Sequence, residues 1–276
     1  MEKTKVYRSD IHGLISSAYA NAVSGQGNNN ETMPKGQDAI IDTAGYSVAE
    51  LSISENTDNY TFACGNPVAM ALINPGDTVV DLGCGTGLDL ILAAEVTGSK
   101  GTVIGVDMTD EMLVLAQKRI DQTDFENIVL KKSYIEDLPF ESNTIDKIIS
   151  NCVINLSPEK EQVMSEMYRV LKDGGSISVS DIVIEDIPRW LLNQASLYAT
   201  CVAGAITIDK YLDLLVQTGF KSIEIIGHKK YSEQEILAIL DLEVESLKSG
   251  LGDMFFKTLL NKVTGKIHSI HLQATK

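Results

Sequence analysis

The densest chemistry in the chain lies at Asp81-Leu82-Gly83-Cys84-Gly85-Thr86-Gly87. Three glycines at alternate positions allow a tight turn and let backbone approach a ligand closely. About twenty residues further on stands Asp107, at the end of Val103-Ile104-Gly105-Val106, where a carboxylate can accept hydrogen bonds from both hydroxyls of a ribose. The second feature is four cysteines, Cys64, Cys84, Cys152 and Cys201. Without a CxxC pair among them, the usual zinc and thioredoxin signatures are absent. On counts alone they are either inert core residues or soft-metal ligands. In a reducing compartment all four are expected as free thiols. His12, His228, His268 and His271 fall outside the core motifs and are read as structural or surface residues.

The elements that must position these residues follow from patterning. Thr78–Leu82 is a short β-branched run between Pro75-Gly76 and the glycine cluster, hence a strand. Strands are expected again at 102–106, 127–130, 144–150 and 176–183, and late ones at 222–226 and 266–274. Helices are expected over 88–96, from Asp110 behind Thr109 as N-cap, and from Pro158 behind Ser157 to Leu171. Further helices are read over 190–205, 208–217 and 233–247, and within 1–24 with Leu14, Ile15, Ala18 and Ala22 on one face. The alternation implies an α/β, Rossmann-like, mostly parallel seven-stranded sheet flanked by helices, with a small C-terminal lobe. Three parts are expected. Residues 1–43 form an N-terminal helix and a flexible stretch, 44–185 a cofactor-binding domain, and 186–276 covering helices and closing strands. Ligands of such sheets bind at the carboxyl ends of the strands.

Composition narrows the function. Lys+Arg 23 against Asp+Glu 38 leaves a net charge of −15, which repels phosphate backbones and argues against a nucleic-acid partner. Apolar runs stay short of the roughly 18 residues of a membrane span, and the first twenty residues lack a signal peptide's apolar stretch. A cytoplasmic protein without membrane association is the expectation. Hydrophobic residues at 44% and charged residues at 22% are ordinary for a folded domain. Of two cofactor classes, a dinucleotide demands GxGxxG and a pyrophosphate at the helix N-terminus. Here the spacing is GxGxG and Asp81 precedes it. An anion repels a phosphate but suits the ammonium group of S-adenosylmethionine.

DxGxGxG with the downstream Asp107 resembles the signature of class I S-adenosylmethionine-dependent methyltransferases. Glu136-Asp137-Leu138-Pro139-Phe140 resembles their adenine-side loop. Asp146 falls where such enzymes carry an acid near the fourth strand. Leu171-Lys172-Asp173-Gly174-Gly175 resembles their L-[KR]-P-G-G element, with Asp173 replacing proline. Longer words, CGNP at 64–67, GVDMTDEML at 105–113, SNCVINLSP at 150–158, VSDIV at 179–183 and TCVAGA at 200–205, resemble the arsenite S-adenosylmethionine methyltransferases over roughly residues 44–220.

The resemblance implies a cofactor held by Asp81, Gly83, Cys84, Gly85, Gly87, Asp107, Met108, Ile135, Glu136 and Asn151. It also implies trivalent arsenic held by Cys64, Cys152 and Cys201, which would then be the catalytic residues. Soft As(III) matches thiolates, and its lone pair is the nucleophile, so no base is needed and catalysis is positioning. Cys84 is read as a small filler. Asn151 either orients cofactor or substrate loop or serves as a structural cap. Tyr60 and Phe62 either wall the cofactor or pack in the core, and Trp190 is read as core. Relatives often carry a further cysteine ahead of CGNP, and residues 1–63 have none. An external thiol reductant, a thioredoxin or a small dithiol, is therefore expected as partner. An organic acceptor such as a quinone, or binding of As(III) without turnover, are the alternatives.

Overall fold

The computed structural model describes residues 11–20, 23, 44–52, 63–187, 202, 204–240 and 263–276. Cys201, Trp190, Tyr60 and Phe62 lie outside these residues, as do most of the expected 190–205 helix and the end of the 233–247 helix.

Seven strands form one sheet: β1 (Thr78–Leu82), β2 (Thr102–Asp107), β3 (Ile128–Lys132), β4 (Ile145–Asn151), β5 (Leu171–Ile184), β6 (Lys221–Lys230) and β7 (Ile267–Thr275), in the order β3-β2-β1-β4-β5-β7-β6. The first five are parallel; β7 runs antiparallel to both β5 and β6. This is the expected α/β, Rossmann-like, mixed seven-stranded sheet. The order steps outward from β1 through β2 to β3 on one side and from β4 to β5 on the other, so the topological switch point lies at the carboxyl ends of β1 and β4.

The helices needed below are α1 (residues 11–20), α2 (Val48–Ser52), α3 (Pro67–Met70), α4 (Leu88–Thr97), α5 (Asp110–Ile120), α6 (Lys160–Val170), α7 (Ile208–Thr218) and α8 (Glu233–Leu240). The central strands carry the core. Val79, Val80, Ile148 and Ile149 have no exposed surface, because helices cover both faces of the sheet. Burying each contributes about 2 kcal/mol.

Two local expectations are corrected. In α1 it is Ile11, His12 and Ile15 that are buried, whereas Leu14 is 64% exposed. The polar His12 turns inward because it has a buried partner there. In addition, α6 starts at Lys160 behind Glu159 rather than at Pro158. The Ser157 hydroxyl accepts from the Glu159 backbone N–H and donates to Glu136, so it anchors a loop before the helix begins.

Candidate active site

The glycine loop leaves β1 and enters α4. Gly83 and Gly85 have φ of +65° and +51°, the left-handed region that penalises a Cβ. Gly85 N–H donates to Asp107 Oδ2 at 3.0 Å, and Thr109 N–H donates to Asp107 Oδ1 at 2.9 Å. The end of β2 thus clamps the loop after β1. Gly87 serves packing instead: a Cβ there would meet Ala116 of α5 at 3.2 Å, and Gly87 does not line the cleft.

Above the loop lies a cleft with about 970 Å³ of empty space, its open mouth included, a size usual for small-molecule sites. Its walls include Asp81, Gly83, Cys84, Gly85, Asp107, Met108, Ile135, Glu136, Asn151 and Cys152. Nine of the ten residues expected to hold the cofactor therefore meet in one cavity, the exception being Gly87.

The cleft is acidic. Asp81 is 2% exposed; burial, and then the charges of Asp89 and Asp107, push its carboxyl well above the usual range, and no described donor relieves it. Burial raises Asp107 as well. Asp89 is pushed up to about 6 by burial, against the hydrogen bonds it accepts from Tyr46 at 2.8 Å and Asn151 at 3.2 Å. An unrelieved buried carboxylate beside two others calls for a cation. The ammonium and sulfonium of S-adenosylmethionine supply one, whereas a pyrophosphate would add negative charge beside the carboxylates. The residues present fit this group.

Glu136 is also engaged by the protein itself. Its carboxylate accepts from Ser157 Oγ and is paired with His12 Nε2 at 3.0 Å. Burial alone would raise its pKa, but those two bonds outweigh it and leave the group below the usual range. Glu136 lines the cleft, yet its carboxylate is engaged by protein. His12 in turn stacks on Tyr134, with ring centroids 4.5 Å apart, and α1 presents His12, Ile15 and Tyr19 as one wall of the cleft. Reading His12 as merely structural missed this. The spacing 12, 15, 19 is a helix face and was the available signal. Asp89 was missed too. Its signal was one carboxylate in the otherwise apolar run Leu88-Asp89-Leu90-Ile91-Leu92.

At the end of β4, Asn151 Nδ2 donates to Gly65 O at 2.7 Å and to Tyr46 Oη at 3.0 Å, while its Oδ1 accepts from Cys64 N–H at 3.0 Å. Asn151 thus ties the 64–67 loop to the sheet. Cys152 follows with φ of +59°, a strained conformation for a residue with a Cβ. It is held by its N–H to Ser180 O at 2.9 Å. Cys64 and Cys152 meet, with Cα atoms 6.1 Å apart, and are joined as a disulfide. This corrects the expectation of free thiols for these two cysteines. Residues 88 apart in sequence come close enough to bond because β4 and the 64–67 loop end at the same edge. Both lie in an apolar cluster with Ile182, Ile187 and Val202, the last being the described residue next to Cys201. Cys84 is free and buried; burial and the neighbouring Asp107 and Asp81 push its thiol well above the usual range, as suits a filler. Among the described residues no cluster of three His, Cys, Asp or Glu is placed to hold a metal ion. No described helix is long and apolar enough to cross a membrane.

The sheet order, the loop clamp and the acidic cleft define a class I, S-adenosylmethionine-type methyltransferase fold and site. Residues 73–219, just over half of the chain, match the family described as a methyltransferase domain. The chain is 38% identical over 214 residues to an arsenite methyltransferase of Halobacterium salinarum, covering 76% of this chain and 54% of that protein. It is 36% identical over 203 residues to an arsenite methyltransferase of Aquipseudomonas alcaligenes, covering 71% and 56%. A crystal structure of an arsenic(III) S-adenosylmethionine methyltransferase from Chlamydomonas reinhardtii superposes with a TM-score of 0.63 at 28% identity, over 88% of this chain and 74% of that one. The chain belongs to the methyltransferase-domain family, and arsenite methyltransferases are among the relatives it is similar to. It spans about half the length of the curated relatives it matches.

Proposed function

We propose that this protein transfers the methyl group of S-adenosylmethionine to trivalent arsenic held on cysteine sulfur. The supporting observation is the meeting of Cys64 and Cys152 at the edge of the cleft that holds Asp81 and Asp107. Two sulfurs near enough to bond each other are near enough to share one thiophilic atom. Cys201 is proposed as the third ligand. Bound in the cleft, S-adenosylmethionine supplies an electrophilic methyl on a sulfonium, with Asp81 toward its ammonium and Asp107 toward its ribose. The Cys64–Cys152 disulfide must first take up two electrons from an external dithiol or thioredoxin. The arsenic lone pair then attacks the methyl carbon as the carbon–sulfur bond breaks, and the bonding pair leaves on sulfur. Arsenic becomes formally pentavalent, and the same external thiols return it to the trivalent state. No side chain has to remove a proton, so the protein's contribution is alignment and exclusion of water.

The test is methyl transfer from labelled S-adenosylmethionine to arsenite in excess thiol, with wild type and Cys64→Ser, Cys152→Ser and Cys201→Ser separately. Methylated arsenic from wild type, lost in the Cys152 and Cys201 variants, is expected. Binding of S-adenosylmethionine without any arsenic product would overturn the substrate and turn the search to organic acceptors. Arsenite binding by wild type without turnover would leave a binding module.

A further inference from the structure

The cysteine loop rests on a buried proton chain that the proposed chemistry does not use. His271 on β7 lies directly opposite Ser180 on β5, and Ser178 lies two residues along β5 on the same face. His271 Nδ1 is 2.7 Å from Ser180 Oγ, and Nε2 is 3.0 Å from Ser178 Oγ. Ser178 Oγ donates to the Pro67 carbonyl at 2.8 Å. A carbonyl can only accept, so the single hydroxyl hydrogen of Ser178 is committed to Pro67. Ser178 must then accept from His271 Nε2–H, and the bare Nδ1 accepts from the Ser180 hydroxyl. This placement of the hydrogens belongs to the neutral imidazole. Burial agrees, holding its pKa down to about 4.

Both cysteine segments hang on this chain. A Cβ on Gly65 would run into the Ser180 side chain, so the loop lies flat against it. The Ser180 carbonyl accepts from Cys152 N–H, and the Pro67 carbonyl belongs to the loop that begins with Cys64.

We propose that His271 is a positioning residue for substrate capture: through Ser178 and Ser180 it fixes the Gly65–Pro67 loop and so holds the Cys64 sulfur opposite that of Cys152. The inference rests on the arsenic reading for its purpose, but its geometry can be tested without arsenic.

The variants are His271→Leu, which fills the space without bonding, and His271→Gln, which retains an N–H donor toward Ser178. Two readouts are taken on the full chain. The first is the equilibrium of the Cys64–Cys152 disulfide with glutathione, which reports the effective concentration of one thiol at the other. The second is arsenite KM and kcat beside S-adenosylhomocysteine affinity. His271→Leu is expected to lower the effective concentration and raise arsenite KM by about tenfold each, the worth of one or two buried hydrogen bonds. Affinity for S-adenosylhomocysteine should fall by less than arsenite KM rises, since His271, Ser178 and Ser180 do not themselves line the cofactor cleft, and His271→Gln should recover most of the loss. An unchanged glutathione equilibrium in folded variants overturns the proposal. So does a parallel loss of KM, kcat and cofactor affinity, which marks a general structural role. If His271→Leu does not fold, His271→Gln and Ser178→Ala carry the same comparison. Failure of wild type to methylate arsenite would sink the substrate reading while the glutathione equilibrium still decides this one.

Discussion

Replacing Asp81 by Asn should weaken cofactor binding while making the empty protein more stable. The Asp81 carboxylate is 2% exposed, faces the cleft beside Asp89 and Asp107, and meets no relieving donor among the described residues. With a ligand ammonium beside it, it would gain a charge-assisted hydrogen bond of about 1.5–3 kcal/mol. At 1.4 kcal/mol per tenfold, Asp81→Asn should raise the Kd for S-adenosylhomocysteine by about 10- to 150-fold. Its folded-state pKa is raised above the unfolded value, so at neutral pH the charged form opposes folding. Removing the charge should therefore raise the urea midpoint of the empty protein. The assay is titration calorimetry with two ligands, S-adenosylhomocysteine and 5′-methylthioadenosine, which lacks the amino-acid part. The variant should lose affinity for the first and keep affinity for the second. Equal losses for both ligands would refute the placement of the ammonium. A lower urea midpoint would refute the reading of Asp81 as an uncompensated charge.

Two further outcomes follow from buried groups. His12→Ala removes the donor that ties α1 to Glu136, so α1 should loosen over the cleft, raising the Kd for S-adenosylhomocysteine about tenfold; an unchanged Kd by calorimetry would remove α1 from the cofactor site. Asp181 is wholly buried, accepts from Asn155 at 2.7 Å and Tyr211 at 3.3 Å, and has its pKa pushed up to about 7 by burial. The folded state therefore keeps this proton to higher pH than the unfolded state. Stability present below pH about 4 is lost as pH rises through about 7, with a slope of up to about 1.4 kcal/mol per pH unit. Urea midpoints of Asp181→Asn should fall less between about pH 5 and pH 8 than those of wild type; parallel curves would contradict the assignment.

How far the site was legible depends on the distance over which each part is specified. The loop at 81–87 and Asp107 could be read directly, because a glycine turn after an apolar strand and an acid at the end of the next strand are local patterns. Asp146 was legible from its place near the fourth strand. Here it accepts from Thr78 N–H at 2.9 Å and pairs with Lys172 at 2.8 Å. The engagement of Glu136 was not legible, because His12 lies 124 residues away and nothing local marks the pair. The start of α6 was misread because Ser157-Pro158 has the composition of a helix cap, while tertiary contact with Glu136 gives that hydroxyl another partner.

By itself the sequence determined the strand and helix alternation, the glycine loop and the residue types suited to a cationic nucleoside ligand. These rest on hydrophobic period and on backbone freedom at single positions, which neighbours in the chain decide. Only the tertiary structure decided that Cys64 meets Cys152, that α1 walls the cleft, and that His271 on the last strand supports a loop some two hundred residues earlier. Those contacts depend on strand order, and β7 slots between β5 and β6. No local pattern encodes that insertion, because an antiparallel strand buried on both faces would satisfy its hydrogen bonds equally well at other positions in a sheet.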